Sequence, residues 1–277
     1  MIHSKRKEAD VAGLRIIFAA AVALSAATAS AQEVVFKDPT GDDNGPGNYV
    51  YPTDPVYKPG SFDLTQLRVK QAGDKVTFEV SVNADMEDPW QMPQPANFSI
   101  QMAIIHIKTG KGGHTKGIPG TNVQFAQGEE WNKVVILSPQ PAGRVRSEAK
   151  QKAGDLKEDI VVPEETVGKG RTISGTVDKK ALGDGDVTKW GYQVIMQSNE
   201  GFPDKTDLLT RKVNEYEGQH RFGGGTDSDC DPHVIDVLAG KGTGDKSEIE
   251  EQHKMLAYEC NPDGTAKKMA TLKMVRK

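Results

Sequence analysis

The sequence predicts an all-β protein, an antiparallel β-sandwich with long loops. Residues 64–70 and 75–82 alternate apolar and polar side chains, and the turn-like connector 71–74 makes them a β-hairpin. Further strand-like runs cover residues 98–107, 122–126, 133–137, 171–177 and 191–197. Loops that contain glycine and proline separate these runs. Short strands with frequent turn signals are typical of a sandwich rather than of βαβ units.

Residues 32–277 are predicted to form a single domain. The segment 142–165 differs from its surroundings, because Lys, Glu, Asp and Ala dominate it and its apolar residues show no clear period. We interpret this segment as an exposed excursion from the sandwich rather than as a boundary between domains.

Residues 1–31 have the pattern of a signal peptide. Basic residues precede an apolar run, 16–27, and the run ends in Ala29-Ser30-Ala31, a small-x-small cleavage pattern. The alternative is a membrane anchor, but the run is shorter than the roughly 20 apolar residues that a spanning helix needs. We therefore expect export to the periplasm or the exterior, with no membrane span after cleavage.

The charge balance argues against nucleic acid as a partner. The chain contains 35 Lys and Arg residues against 39 Asp and Glu residues, a net charge of −4. Neutralisation of phosphates needs clustered basic residues, and the sequence has no basic stripe.

The two cysteines, Cys230 and Cys260, lie in the exported part of the chain. In an oxidising compartment such a pair usually forms a disulfide, and this one would stabilise the fold by roughly 3 to 4 kcal/mol in the chain-entropy model. Two buried free thiols are the alternative.

The stretch DPTGDDNGPGNYVYPTD, residues 38–54, combines acids with glycines and prolines. Asp38, Asp42, Asp43 and Asn44 offer hard oxygen ligands on a backbone that the glycines allow to curl, which suits Ca²⁺ better than Mg²⁺. The spacing is not that of an EF-hand. The alternative is a solvated acidic turn, since Asp, Asn and Gly are also common turn residues.

A second acidic cluster lies near the C-terminus. Asp227, Asp229 and Asp231 stand at alternate positions beside Cys230 and offer oxygen ligands for a second calcium ion. The spacing is weakly specific, because Pro232 occupies the position where a calcium loop usually has glycine.

Aromatic residues are the candidates for carbohydrate contacts, because the apolar face of a pyranose stacks on a flat ring. Trp90 lies in the proline-rich loop DPWQMPQP and is the best surface candidate, and Tyr49 and Tyr51 in the acidic loop are two further candidates. The alternative for the two tyrosines is that they fasten the acidic loop to the sheet. Trp131 and Trp190 each begin a strand-like run, which favours a packing role.

The sequence contains no motif that would indicate an enzyme. A G-x-S-x-G elbow, an H-E-x-x-H pair and a C-x-x-C-H haem attachment motif are all missing from it. Pairs of carboxylates for glycoside hydrolysis are set by the fold, so the many acidic residues carry no information on this point. We expect a noncatalytic protein.

The chain resembles the C-terminal binding-module domain of glucodextranase. The resemblance lies in DPTGDDNGPGNYVYPTD, PGSFDLTQLRV, GDKVTFEVSV, DPWQMPQPANFSIQMAIIHI, WGYQVIMQSNEGFP and RFGGGTDSDCDPHVIDVL, and it covers residues 34–238. Such domains are similar to family 9 carbohydrate-binding modules and to other jelly-roll or DOMON-like β-sandwiches. The resemblance implies a calcium-stabilised sandwich that binds sugar or surface material and catalyses no reaction.

These observations together favour a secreted, noncatalytic, calcium-stabilised module that binds carbohydrate or envelope polysaccharide. The alternative is a structural protein of the periplasm or cell surface that contacts a protein partner and whose calcium is purely architectural.

Overall fold

The computed structural model describes Met1, Ile2 and residues 31–277. Fourteen strands lie in the described part of the chain: β1 Gln32–Lys37, β2 Leu64–Ala72, β3 Lys75–Val82, β4 Gln101–Lys108, β5 Val123–Phe125, β6 Lys133–Leu137, β7 Ile160–Val161, β8 Thr166–Lys169, β9 Thr172–Asp178, β10 Gly191–Ser198, β11 Asp236–Val237, β12 Glu259–Cys260, β13 Ala266–Lys268 and β14 Ala270–Leu272. Its helices are α1 Ala142–Lys152, α2 Lys179–Leu182 and α3 Ser247–Leu256, with 3₁₀ helices at Gly154–Asp159 and Val187–Lys189.

Two five-stranded sheets form the sandwich. The first has the order β1-β2-β3-β9-β8 and is antiparallel throughout. The second has the order β11-β10-β4-β6-β7, in which only the β6–β7 pairing is parallel. The predicted antiparallel β-sandwich and the predicted β2–β3 hairpin are confirmed.

The main core lies between the two sheets. Strand β3 shows why the sequence pattern predicts it: Val76, Phe78, Val80 and Val82 are buried and alternate with more exposed residues. This period of two places one face of the first sheet against the second sheet. Trp190 is also buried in this core, as its position at the start of a strand predicts.

The second sheet is buried on both faces. In β4, Ile105 and Ile107 point into the main core, whereas Met102 and Ile104 belong to a second apolar cluster on the outer face. This outer cluster is covered by α1, α3 and the parallel pair β5–β14. A strand with two buried faces has no reason to alternate, which explains why buried and exposed residues do not alternate along β4 and β10.

The segment 142–165 differs from the expected exposed excursion. It contains α1, the 3₁₀ helix Gly154–Asp159 and β7. Strand β7 extends the second sheet. Val145 and Ala149, four positions apart, are buried in the outer cluster, while Arg146 and Lys150 of α1 are exposed. The segment therefore covers the sandwich rather than leaving it.

Cys230 and Cys260 form the predicted disulfide, with their Cα atoms 5.5 Å apart. The bond ties the loop before β11 to β12. In the described part of the chain, no helix has both the length and the apolar character to cross a membrane. The predicted signal peptide falls almost entirely on residues 3–30, outside the described residues.

Candidate functional site

Three buried carboxylates converge at one edge of the sandwich. Asp38, Asp42 and Asp236 each offer an oxygen atom, and these oxygens lie within 4.8 Å of one another. Asp42 and Asp236 have no exposed surface, and Asp38 is 5% exposed. We call these three residues the carboxylate triad.

The triad joins the edges of the two sheets. Asp38 directly follows β1, which is the edge strand of the first sheet, and Asp236 begins β11, the edge strand of the second. Asp42 lies in the loop between β1 and β2. The two sheets are linked here by a hydrogen bond of 2.7 Å, in which the Leu64 backbone N–H donates to Asp236 Oδ2.

Four oxygen atoms of the triad have no hydrogen-bond partner among the described residues. They are both carboxylate oxygens of Asp42, Oδ2 of Asp38 and Oδ1 of Asp236. Buried polar atoms are nearly always hydrogen-bonded, and three like charges at this distance repel one another strongly in a buried environment. The triad therefore needs protons or a cation.

The same conclusion follows from the pKa values of the carboxyl groups. Burial, and then the neighbouring Asp42, raise the pKa of Asp38 well above its ordinary value, and burial with Asp38 does the same for Asp236. Burial, and then Asp63, raise the pKa of Asp42 to about 7. Without a cation, the folded protein holds protons here at a pH at which free carboxyl groups have lost them.

Asp63 stands next to the triad but is already hydrogen-bonded. Both of its carboxylate oxygens accept from the Gly41 backbone N–H at 3.0 Å, and Oδ2 accepts from the Asn83 amide. Burial raises the pKa of Asp63 to about 6, against the lowering effect of the Gly41 hydrogen bond. Asp63 thus fixes the loop that carries Asp42 and adds negative charge to the site.

Of the four residues predicted from the acidic loop as cation ligands, two belong to the triad and two point elsewhere. Asp43 accepts a hydrogen bond from the Tyr51 hydroxyl, which in turn accepts from the Phe62 backbone N–H. Asn44 Oδ1 lies 3.3 Å from Nε2 of His253 on α3. These contacts give Asp43 and Asn44 structural partners on the sheet and on the helix.

Helix α3 supports the triad from behind, which the sequence patterns did not reveal. Gln252 is fully buried; its amide donates to the Asp42 carbonyl and accepts from the Val237 backbone N–H. Glu248 accepts backbone N–H donors from Lys241, Thr243 and Gly244. The helix therefore connects the Asp42 loop to β11 and orders the turn that follows it.

The residues of the second acidic cluster are directed to different partners. Asp227 accepts from the Asn214 amide and Asp229 pairs with Lys212 at 2.7 Å. Asp231 is buried and accepts from the Thr226 hydroxyl at 2.8 Å. The cluster is held together by these protein contacts rather than by convergence of its carboxylates.

The three aromatic residues predicted to contact carbohydrate lie in different environments. Tyr49 is 6% exposed and its hydroxyl donates to the Pro232 carbonyl at 2.5 Å, so it has no open face for a sugar. The ring of Tyr51 packs on Phe222 with a centroid distance of 4.9 Å. Both tyrosines fasten the acidic loop, because their rings are used for packing.

Trp90 is the exposed member of this set. It is 37% exposed, and its ring makes edge contacts with Tyr57 and His220 at centroid distances of 6.4 and 5.9 Å. Trp131, by contrast, is fully buried and its indole N–H donates to the Lys116 carbonyl, in agreement with the predicted packing role.

Comparison with known proteins identifies the chain at the level of its family. A family model described as the C-terminal, SLH-like binding module of glucodextranase matches residues 34–275. A search of curated proteins gave no match. The matched range includes all three triad residues, Trp90 and the disulfide, and it describes a binding module rather than a catalytic domain. The chain therefore belongs to the family of C-terminal, SLH-like binding modules of glucodextranase.

Proposed function

We propose that this protein is a secreted, noncatalytic module that binds carbohydrate or envelope polysaccharide and is stabilised by calcium. The observation that carries the proposal is the buried carboxylate triad, four oxygens of which have no hydrogen-bond partner in the described part of the chain, set in a fold of a binding-module family. The triad supports the calcium, and the family supports the binding of a glycan.

The donor set of the triad fits a hard divalent cation. Carboxylate oxygens are the ligands that Ca²⁺ prefers, and its flexible coordination tolerates a site assembled from two sheet edges and a loop. Asp38, Asp42 and Asp236 would hold the ion. The ion would neutralise their charges and join the two sheets at this edge, so its role in the proposal is structural.

The glycan surface in this proposal is the end of the sandwich that carries Trp90. Its partly exposed indole ring is held on edge contacts with Tyr57 and His220, and a ring fixed in this way loses little side-chain entropy when a sugar stacks on it. Tyr49 and Tyr51 are not included in the proposed surface, because the Tyr49 ring is buried in an apolar cluster and the partly buried Tyr51 ring packs against the same cluster.

Trp90→Ala is expected to weaken retention of the protein on a glycan. Loss of an aromatic contact worth about 0.5 to 1.5 kcal/mol corresponds to roughly a twofold to tenfold increase in Kd. The measurement is depletion of the full chain, in calcium, by a glycan panel of granular starch, cross-linked dextran, cellulose and purified cell-wall polysaccharide. Trp131→Phe, a conservative change in the core, controls for a loss of stability without a change at the surface.

The same panel separates glycan binding from the alternative role in protein contacts. Retention of the native protein on one or more glycans, reduced in Trp90→Ala, supports the proposed function. No retention on any member of the panel would favour a structural protein that binds a protein partner. Turnover of a glycoside by the protein would contradict the noncatalytic assignment.

A further inference from the structure

A cavity of about 250 Å³ lies between α1 and the segment that follows the helix. Its lining combines apolar residues that are buried or half-buried with exposed charged residues: Ala149, Ile160 and Val162, and Arg146, Lys150, Lys157 and Glu158. We call it the lysine cavity. Because its charged residues are exposed, a ligand in solution can reach them.

The basic residues of α1 lie on two sides of the helix. The helix contains four basic residues and one acidic residue, whereas the whole chain has a net charge of −4. Arg144 and Lys152 donate to backbone carbonyls of the loop 201–207 and so hold that loop. Arg146 and Lys150, four positions apart and therefore neighbours on the helix surface, line the cavity instead.

The two lysines of the cavity have no ionic partner in the described part of the chain. Glu148, the acidic residue of α1, pairs with Lys152 at 2.7 Å. Glu158 lines the cavity as well, but it forms no salt bridge with Lys150 or Lys157 among the described residues. The cavity thus combines an excess of positive charge with an apolar lining, an arrangement that attracts an anionic group.

Arg146 forms the wall at one side of the lysine cavity. Its guanidinium donates to the two carboxylate oxygens of Glu164 at 3.0 and 2.7 Å and to the Val162 carbonyl at 3.0 Å. These contacts already use the guanidinium for structure. The charges that remain for a ligand are those of Lys150 and Lys157.

A second cavity, of about 220 Å³, adjoins the first. Both cavities are lined by Val162. The second cavity is also lined by residues 93–95, which belong to the loop that carries Trp90. A chain molecule that contacts the Trp90 loop can therefore continue along α1 to Lys150 and Lys157.

We propose that the lysine cavity binds an anionic group of an acidic polysaccharide, a carboxylate or a phosphate, which pairs with the ammonium groups of Lys150 and Lys157. A small free anion would gain little from two exposed lysines, because ion pairs in water are weak. A polysaccharide adds contacts along the neighbouring cavity, and these contacts act together with the ion pairs. This inference rests on the proposed function and names the class of glycan.

The test compares three cross-linked dextrans that share one backbone: a neutral one, one with carboxymethyl groups and one with phosphate groups. Depletion of the full chain is measured on each, and on the glycan panel, with calcium present. The double variant Lys150→Gln/Lys157→Gln is expected to lose about threefold to tenfold in retention on the charged dextrans, the effect of losing two exposed ion pairs. Its retention on the neutral glycans is expected to be unchanged, which also shows that the variant is folded.

Lys70→Gln/Lys268→Gln is the matched control. Both residues are exposed and lie outside the lining of the lysine cavity, and the double change removes the same total charge. Stronger retention of the native protein on a charged dextran than on the neutral one, weakened in the cavity variant and kept in the control, supports the site. The charged dextran that shows this pattern identifies the group as a carboxylate or a phosphate.

Three results would overturn the site while leaving the proposed function in place. They are native retention in the cavity variant, an equal loss in both double variants, and retention of the native protein on the charged dextrans that is no stronger than on the neutral one. In each case, retention on at least one neutral member of the glycan panel keeps the proposed function. Failure of the unaltered protein to bind any glycan, charged or neutral, would overturn both.

Discussion

Calcium is expected to raise the thermal unfolding midpoint by about 8 to 16 °C when its concentration is a thousand times Kd. An ion that binds only the native state stabilises it by RT ln(1 + [L]/Kd), about 4.1 kcal/mol at this excess. For a domain of this size, 1 kcal/mol corresponds to a shift of about 2 to 4 °C. The measurement is scanning calorimetry of the full chain in calcium and in a chelator.

The physical reason for this expected shift is the position of the triad. Its carboxylates come from the end of β1, the following loop and β11, so an ion bound to them would connect both sheet edges. In the unfolded chain Asp236 is not held near Asp38 and Asp42, so the three carboxylates hold no ion together. Binding would therefore be coupled almost entirely to the folded state.

Asp42→Asn gives the sharpest version of this experiment. The substitution keeps the shape of the side chain and removes the charge of a residue whose two carboxylate oxygens have no partner among the described residues. We expect the response to calcium to be lost while the ion-free protein becomes at least as stable as before at neutral pH, because one buried repulsive charge is gone. Asp43→Asn, on the same loop but bonded to Tyr51, is the control that should keep the response.

Two results would count against the calcium site. One is a midpoint that is the same in calcium and in chelator. The other is a calcium response that survives in Asp42→Asn and disappears in Asp43→Asn. That result would assign the ion to Asp43 rather than to the triad.

The parts of the fold that the sequence predicts well are those with local patterns. Strand β6 has the predicted bounds, and the hairpin of β2 and β3 follows from an alternation that each strand carries within itself. The sequence does not predict helix α1, because only Val145 and Ala149 of its residues are buried, too few to produce a visible period among so many charged residues. Its contacts are with the sheet and with a distant loop, neither of which the local sequence encodes.

The candidate cation site shows the same division between local and distant information. Asp38 and Asp42 are close in sequence, and their composition with glycine and asparagine is enough to suggest a cation. Asp236 joins them only through the pairing of β11 with β10, and its bond to Leu64 spans 172 positions. A signal was present: Asp236 is an acid inside the apolar run VIDVL, where a buried carboxylate needs a partner.

The pH dependence of stability is expected to have opposite signs without and with calcium. In the ion-free folded protein, burial raises the pKa of Asp42 from 3.8 to about 7 and that of Asp63 to about 6. The folded state therefore binds protons more readily than the unfolded state, and this stabilisation is complete below about pH 4 and lost as the pH rises through about 7. For Asp42 alone it is on the order of 4 kcal/mol.

Calcium should reverse this pH dependence of stability, because the ion competes with protons for the same oxygens and fewer protons compete as the pH rises. Calorimetry of metal-stripped protein between pH 5 and pH 8 is expected to show a midpoint that falls as the pH rises, and the increment added by calcium is expected to grow over the same range. Asp42→Asn should reduce the ion-free slope, since one of the groups with a raised pKa has been removed. An ion-free midpoint that rises with pH would mean that the triad carboxylates are stabilised as charged groups by the protein itself, and the need for a cation would then disappear.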